Sequence, residues 1–84
     1  MRSKHLRTLE AIFEEPTPAN IAWTDIESLL VALGAEVSEG RGSRVRITLN
    51  EVRAVFHRPH PQKETNKSTV ESVQRFLIEA GVEP

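Results

Sequence analysis

Arg44, Arg46, Arg53 and His57 are spaced so that a single β-hairpin would carry all of their side chains on one face. Residues 43–49, Ser-Arg-Val-Arg-Ile-Thr-Leu, alternate at the period of a strand, with Val45, Ile47 and Leu49 on one side and Arg44, Arg46 and Thr48 on the other. The alternation resumes over Val52–His57, after Asn50-Glu51. If those two residues form the whole loop, Leu49 pairs with Val52, Ile47 with Ala54 and Val45 with Phe56, an apolar set for helices to cover. The opposite face then pairs Thr48 with Arg53, Arg46 with Val55 and Arg44 with His57. A four-residue loop preserves this pairing. A three-residue loop moves the partners by one and destroys the sorting.

The chemistry available to such a face is phosphate binding coupled to proton transfer. Guanidinium groups offer planar, paired donors to phosphate oxygens, and an imidazole gives or takes a proton near neutral pH. The competing reading is a solvated basic strand surface on which His57 is a tolerated edge residue. His60, in Arg58-Pro59-His60-Pro61, is a second candidate, because flanking prolines stiffen an extended loop; its alternative is an ordinary loop histidine. Arg58, Lys63 and Lys67 extend the basic set, and the last two precede a helix start whose free amides suit phosphate. His5 reads as a surface residue and Trp23 as an anchor for the helix that follows it. No metal-ligand spacing, no phosphate-cradling glycine loop and no Ser/His/Asp set is present, so no metal and no small-molecule cofactor is expected.

Three helical stretches and one linker must position these groups. Ser3 is a candidate cap for a first helix with Leu6, Leu9, Ile12 and Phe13 on one stripe, and Pro16 and Pro18 make residues 14–20 a linker. Thr24 to Glu27 has the form of a capping box, followed by Ile26, Leu29, Leu30 and Leu33 and a stop at Gly34. Ser68 to Glu71 repeats that form before Val70, Val73, Phe76, Leu77 and Ala80, with Gly81 as the stop. A short strand at Ala35–Val37 and a turn at Glu39–Gly42 lead into the hairpin. The expected fold is α+β in the order α-α-β-β-β-α, a three-stranded antiparallel sheet with helices on one face and the other face open to water.

The chain has 84 residues, enough for one domain over 1–84 with a modest core. It has no cysteine, no apolar run of membrane-spanning length and no signal-like apolar stretch, which together lead to the expectation of a cytoplasmic protein without membrane contact. Its formal net charge of −1 conceals an uneven distribution. Residues 1–39 carry three Lys or Arg against seven acids, whereas residues 40–68 carry seven against two. A basic block in a near-neutral chain attracts phosphate through its local field. The opposite sign of the N-terminal block also allows the first helix to lie over the basic face as a lid.

The run Ile21-Ala22-Trp23-Thr24-Asp25-Ile26-Glu27-Ser28-Leu29-Leu30, with Leu33-Gly34 and then Gly40-Arg41-Gly42-Ser43, resembles the front half of the HicA toxins. Pro59-His60-Pro61-Gln62-Lys63-Glu64, Ser68-Thr69-Val70 and the close at Ala80-Gly81 are similar to their back half. The resemblance covers residues 21–82 and leaves the helix within 1–13 as an addition to the family-like core. It implies a double-stranded-RNA-binding-like fold and a metal-independent endoribonuclease that cleaves mRNA, neutralised by a HicB-like antitoxin. In the family's pattern a histidine follows the Gly-Ser pair, and here Arg44 stands in that place. The hairpin register sets His57 directly across from it, so the expected catalytic groups are His57 as base and His60 as acid, with Arg44, Arg46, Arg53, Arg58, Lys63 and Lys67 on RNA. A non-catalytic RNA-binding or decayed toxin domain that still binds an antitoxin is the alternative, followed by a DNA-binding or protein-interaction domain.

Overall fold

A computed structural model describes residues 2–84, so only Met1 of the helix expected within 1–13 lies outside the described residues. The elements are α1 (Ser3–Ile12), β1 (Ile21–Ala22), α2 (Trp23–Ala32), β2 (Glu36–Glu39), β3 (Arg44–Leu49), β4 (Val52–His57), β5 (Glu64–Thr65) and α3 (Lys67–Glu79). Strands β2, β3 and β4 form the antiparallel three-stranded sheet in that order, as the alternation predicts. A separate ladder pairs β1 with β5, Ile21 against Thr65 and Ala22 against Glu64. Strands this short leave no periodic signal, and the sequence does not announce them.

The hairpin register is the predicted one at every position, from Leu49 against Val52 to Arg44 against His57. Asn50 and Glu51 both adopt positive φ, 49° and 70°, the backbone of the two-residue turn that matches the twist of adjoining strands. The Asn50 side-chain amide also donates to the Ala80 carbonyl at 2.8 Å, which fixes the hairpin tip to the end of α3. The second strand runs over Glu36–Glu39 rather than Ala35–Val37, because its ladder with β3 continues to Glu39 opposite Val45.

Val45, Ile47, Leu49 and Phe56 are buried on one side of the sheet, together with Ile26, Leu29 and Leu30 of α2 and Val70, Val73, Phe76 and Leu77 of α3. Phe56 lies between Trp23 and Phe76, with ring centroids 5.8 and 5.7 Å away, so the middle of the core is aromatic. α2 and α3 end as the sequence predicts. Gly34 and Gly81 take positive φ, and the next amides, Ala35 and Val82, reach back to the carbonyls of Leu30 and Leu77 at 2.9 and 2.8 Å.

The helix starts differ from the expected ones. α1 begins after Arg2 and α2 after Ala22, neither with a side-chain cap, so Ser3 and Thr24 lie inside the helices they were expected to cap. Glu27 does not complete a capping box at α2, because its carboxylate accepts from the Trp23 indole and the Arg58 guanidinium instead. At α3 the cap is Asn66, whose side-chain Oδ1 accepts from the Thr69 amide at 2.8 Å, two residues before the Ser68 box. The charge distribution leaves the direction of the first helix open, and its packing settles it. α1 packs on α2, α3 and β1 and buries Leu9 and Ile12 there. The Ile12 carbonyl accepts from Gln74 of α3 at 2.6 Å, and Lys4 lies 3.5 Å from Asp25 of α2. Apolar burial decides the position of this helix, and the charge difference does not.

Candidate nucleic-acid interface

The face of the sheet away from the helices is a small grid. Pairing across β2, β3 and β4 sets Ser38 beside Arg46 and Val55, and Glu36 beside Thr48 and Arg53. Arg44 lies against His57 on one side, and on the other the Gly40 amide donates to the Arg44 carbonyl at 2.9 Å. Arg44, Arg46, Arg53 and His57 are all exposed. The Arg58 amide donates to the Ser43 carbonyl, which makes Ser43–Arg58 a hydrogen-bonded pair and the adjacent Arg44–His57 pair a non-hydrogen-bonded one. Cα atoms in such pairs approach to about 4.5 Å, the closer of the two antiparallel spacings, so the guanidinium and imidazole side chains rise from the sheet side by side. By the same alternation, Arg46–Val55 and Thr48–Arg53 are also close pairs.

Local packing explains why these groups face outward. Val45, Ile47 and Phe56, 0, 0 and 5 % exposed, hold the intervening positions in the core, so their neighbours must point to water. Gly40 has a second function here. A Cβ at that position would lie 3.1 Å from the Arg44 Cβ, so glycine lets the β2–β3 turn close tightly against Arg44. A shallow depression is lined by Gly40, Arg41, Arg44, Arg46 and Val55, and an adjoining one by Ser38, Arg46, Thr48, Arg53 and Val55. Arg41 and Ser38 join the face although sequence reasoning did not single them out. Arg41 sits in the turn, where alternation says nothing, and Ser38 lies beyond the limit predicted for the first strand.

Arg58 does not join that face. Its guanidinium donates to both carboxylate oxygens of Glu27 at 2.7 and 3.0 Å, and to those of Glu39 at 2.5 and 2.8 Å. Both carboxyls are held below the usual carboxylate range by their hydrogen bonds to Arg58, and the guanidinium is held more firmly protonated by its bonds to Glu27 and then Glu39. Trp23 completes the cluster by donating its indole N–H to Glu27, with its ring buried as an anchor. His60 is exposed in the loop after β4. Lys63 and Lys67 are exposed as well, Lys63 just before β5 and Lys67 as the first residue of α3, neither of them on a strand of the three-stranded sheet. The Lys63 carbonyl accepts from the Trp23 amide at 3.0 Å, which ties that loop to the start of α2.

No described helix is long and apolar enough to cross a membrane. No curated protein and no solved structure matches the chain. A family model does, over residues 23–82, which span β2, β3 and β4 with the open basic face, the Arg58 cluster and the closing helix. The chain therefore belongs to the HicA toxin family of bacterial toxin–antitoxin systems, with α1 lying outside the matched region.

Proposed function

We propose that this protein is a toxin that cleaves mRNA on the open face of its sheet, in the cytoplasm, and that a HicB-like antitoxin protein restrains it. The observation that carries the reading is the close, solvent-facing pairing of Arg44 with His57. His57 takes the proton of a ribose 2′-hydroxyl, and the freed oxygen attacks the adjacent phosphorus. The bond from phosphorus to the 5′-oxygen breaks, and that oxygen takes a proton from His60. The products are a 2′,3′-cyclic phosphate and a 5′-hydroxyl end. Arg44 and Arg46 bind the non-bridging oxygens and stabilise the negative charge that grows on them, while Lys63 and Lys67 hold the flanking backbone and Arg53 contacts the RNA farther along the face. Arg58 serves this reaction by fixing the end of β4, and not by contact with phosphate.

The test is cleavage of single-stranded RNA by the purified chain and by His57→Ala, His60→Ala and Arg44→Ala. Loss of a general base costs about a hundredfold or more in rate, and His57→Ala is expected to fall by that much. Full activity in both histidine variants overturns the mechanism. Arg44, standing where the family's pattern carries histidine, favours one second reading, a toxin-derived domain that binds RNA and antitoxin without cutting. Salt-sensitive RNA binding with no cleavage by the wild type selects it.

A further inference from the structure

The open face changes character along its strands. The row of Gly40, Arg44 and His57 contains no carboxylate and suits phosphate. Two rows away, about 13 Å along the strands, Glu36 and Arg53 stand on the outer strands with the Thr48 hydroxyl between them. Among the described residues neither Glu36 nor Arg53 makes an ion pair, so both are free to bind something else. In the middle row Val55 is 56 % exposed, the only apolar side chain among the described residues of this face. It borders a depression of about 450 Å³ lined also by Ser38, Arg46, Thr48 and Arg53.

Phosphate gains nothing from an exposed valine and is repelled by Glu36. A nucleobase matches both, since its flat face covers apolar surface and its edges carry donors and acceptors together. The two outer strands lie about 9.5 Å apart, a span that a two-ring base bridges better than a one-ring base. The N7 acceptor found only on purines suits Arg53, and an N–H group at the far edge suits Glu36. We infer that Val55, Ser38, Thr48, Arg53 and Glu36 form a base-binding subsite that selects a purine next to the scissile phosphate. The inference rests on the reading of this face as an RNA surface and adds the specificity of that surface.

Two measurements on the full chain test it and separate its failure from that of the cleavage reading. The first is binding of non-cleavable 2′-O-methyl oligonucleotides of pyrimidines, each with a purine, a pyrimidine or an abasic site at one central position. A single purine is expected to tighten binding by about fivefold or more, and the gain is expected to disappear in Glu36→Gln and Val55→Thr. Both changes fall on exposed side chains, and melting curves check that the fold is kept. Equal affinity for the purine and pyrimidine oligonucleotides, or a purine gain intact in both variants, overturns the subsite. The second is mapping of cut sites on an RNA containing every dinucleotide. Cuts enriched beside purines support the subsite, and cuts spread evenly over all junctions overturn it. A purine gain in binding with no cleavage of any RNA leaves the subsite standing and removes the nuclease.

Discussion

His57 and Arg58 are consecutive residues that serve opposite sides of one sheet. His57 projects from the exposed face beside Arg44, whereas the Arg58 guanidinium turns to the helical side and joins Glu27 of α2 to Glu39 of β2. The strand end that carries the imidazole is thus fastened through its immediate neighbour.

This fastening is expected to be sensitive to acid. Glu27 is held below its ordinary range in the folded state, so its contribution is complete at neutral pH and is lost as pH falls through the folded-state value. Thermal melts of the wild type between pH 7 and 3 will show Tm falling on the acid side, and Glu27→Gln will flatten that limb. At pH 7 the same substitution is expected to cost about 1 kcal/mol, the worth of a partly exposed charged hydrogen bond.

Salt dependence separates the two classes of arginine. Each phosphate contact to a single strand contributes about 0.7 to the slope of log affinity against log salt. Arg44→Gln and Arg46→Gln will each reduce the slope for RNA by about that amount. Arg58→Gln will lower Tm and leave the slope unchanged. An equal loss of slope in all three variants would refute the division.

The hairpin turn offers a test of register. Glu51 occupies the left-handed region at φ 70°, where a side chain costs about 1 kcal/mol that glycine avoids. Glu51→Gly is therefore expected to raise stability by up to about 1 kcal/mol with the strand pairing intact, as measured by denaturant unfolding. One residue inserted between Asn50 and Glu51 will disturb the pairing of Arg44 with His57 and abolish RNA cleavage.

The first helix lies outside the matched region yet belongs to the core. Leu9 is 3 % exposed and Ile12 fully buried against α2 and α3. Leu9→Ala is expected to cost about 2–5 kcal/mol in urea unfolding, as for other large-to-small core changes. A chain beginning at residue 14 will unfold more readily than the intact one.

What could be read from the sequence, and what could not, follows from the range of the forces involved. Strand alternation and the two-residue loop are local, so the hairpin register, and with it the company of Arg44, Arg46, Arg53 and His57, is legible in residues 43–57 alone. The stops at Gly34 and Gly81 are equally local. The capping box expected at α2 does not form because its Glu27 pairs with the distant Arg58, whereas α3 starts two residues early on the neighbouring Asn66. The pairing of Arg58 with Glu27 and Glu39 is illegible for the same reason, since nothing in Arg58-Pro59 marks those two distant carboxylates. The β1–β5 ladder depends on contacts between residues 21–22 and 64–65, which no window of neighbouring residues contains.

The bond from the Asn50 amide to the Ala80 carbonyl closes the hairpin tip onto α3, while Arg58 secures its root. A ribbon pinned at both ends cannot reshape itself around a ligand, so induced fit on the protein side is small and its ordering entropy is already spent. The nucleic acid must supply the deformation instead. Flexible, unpaired RNA meets that demand more cheaply than a stiff duplex, and the choice of strand state then follows from mechanics before any base is read.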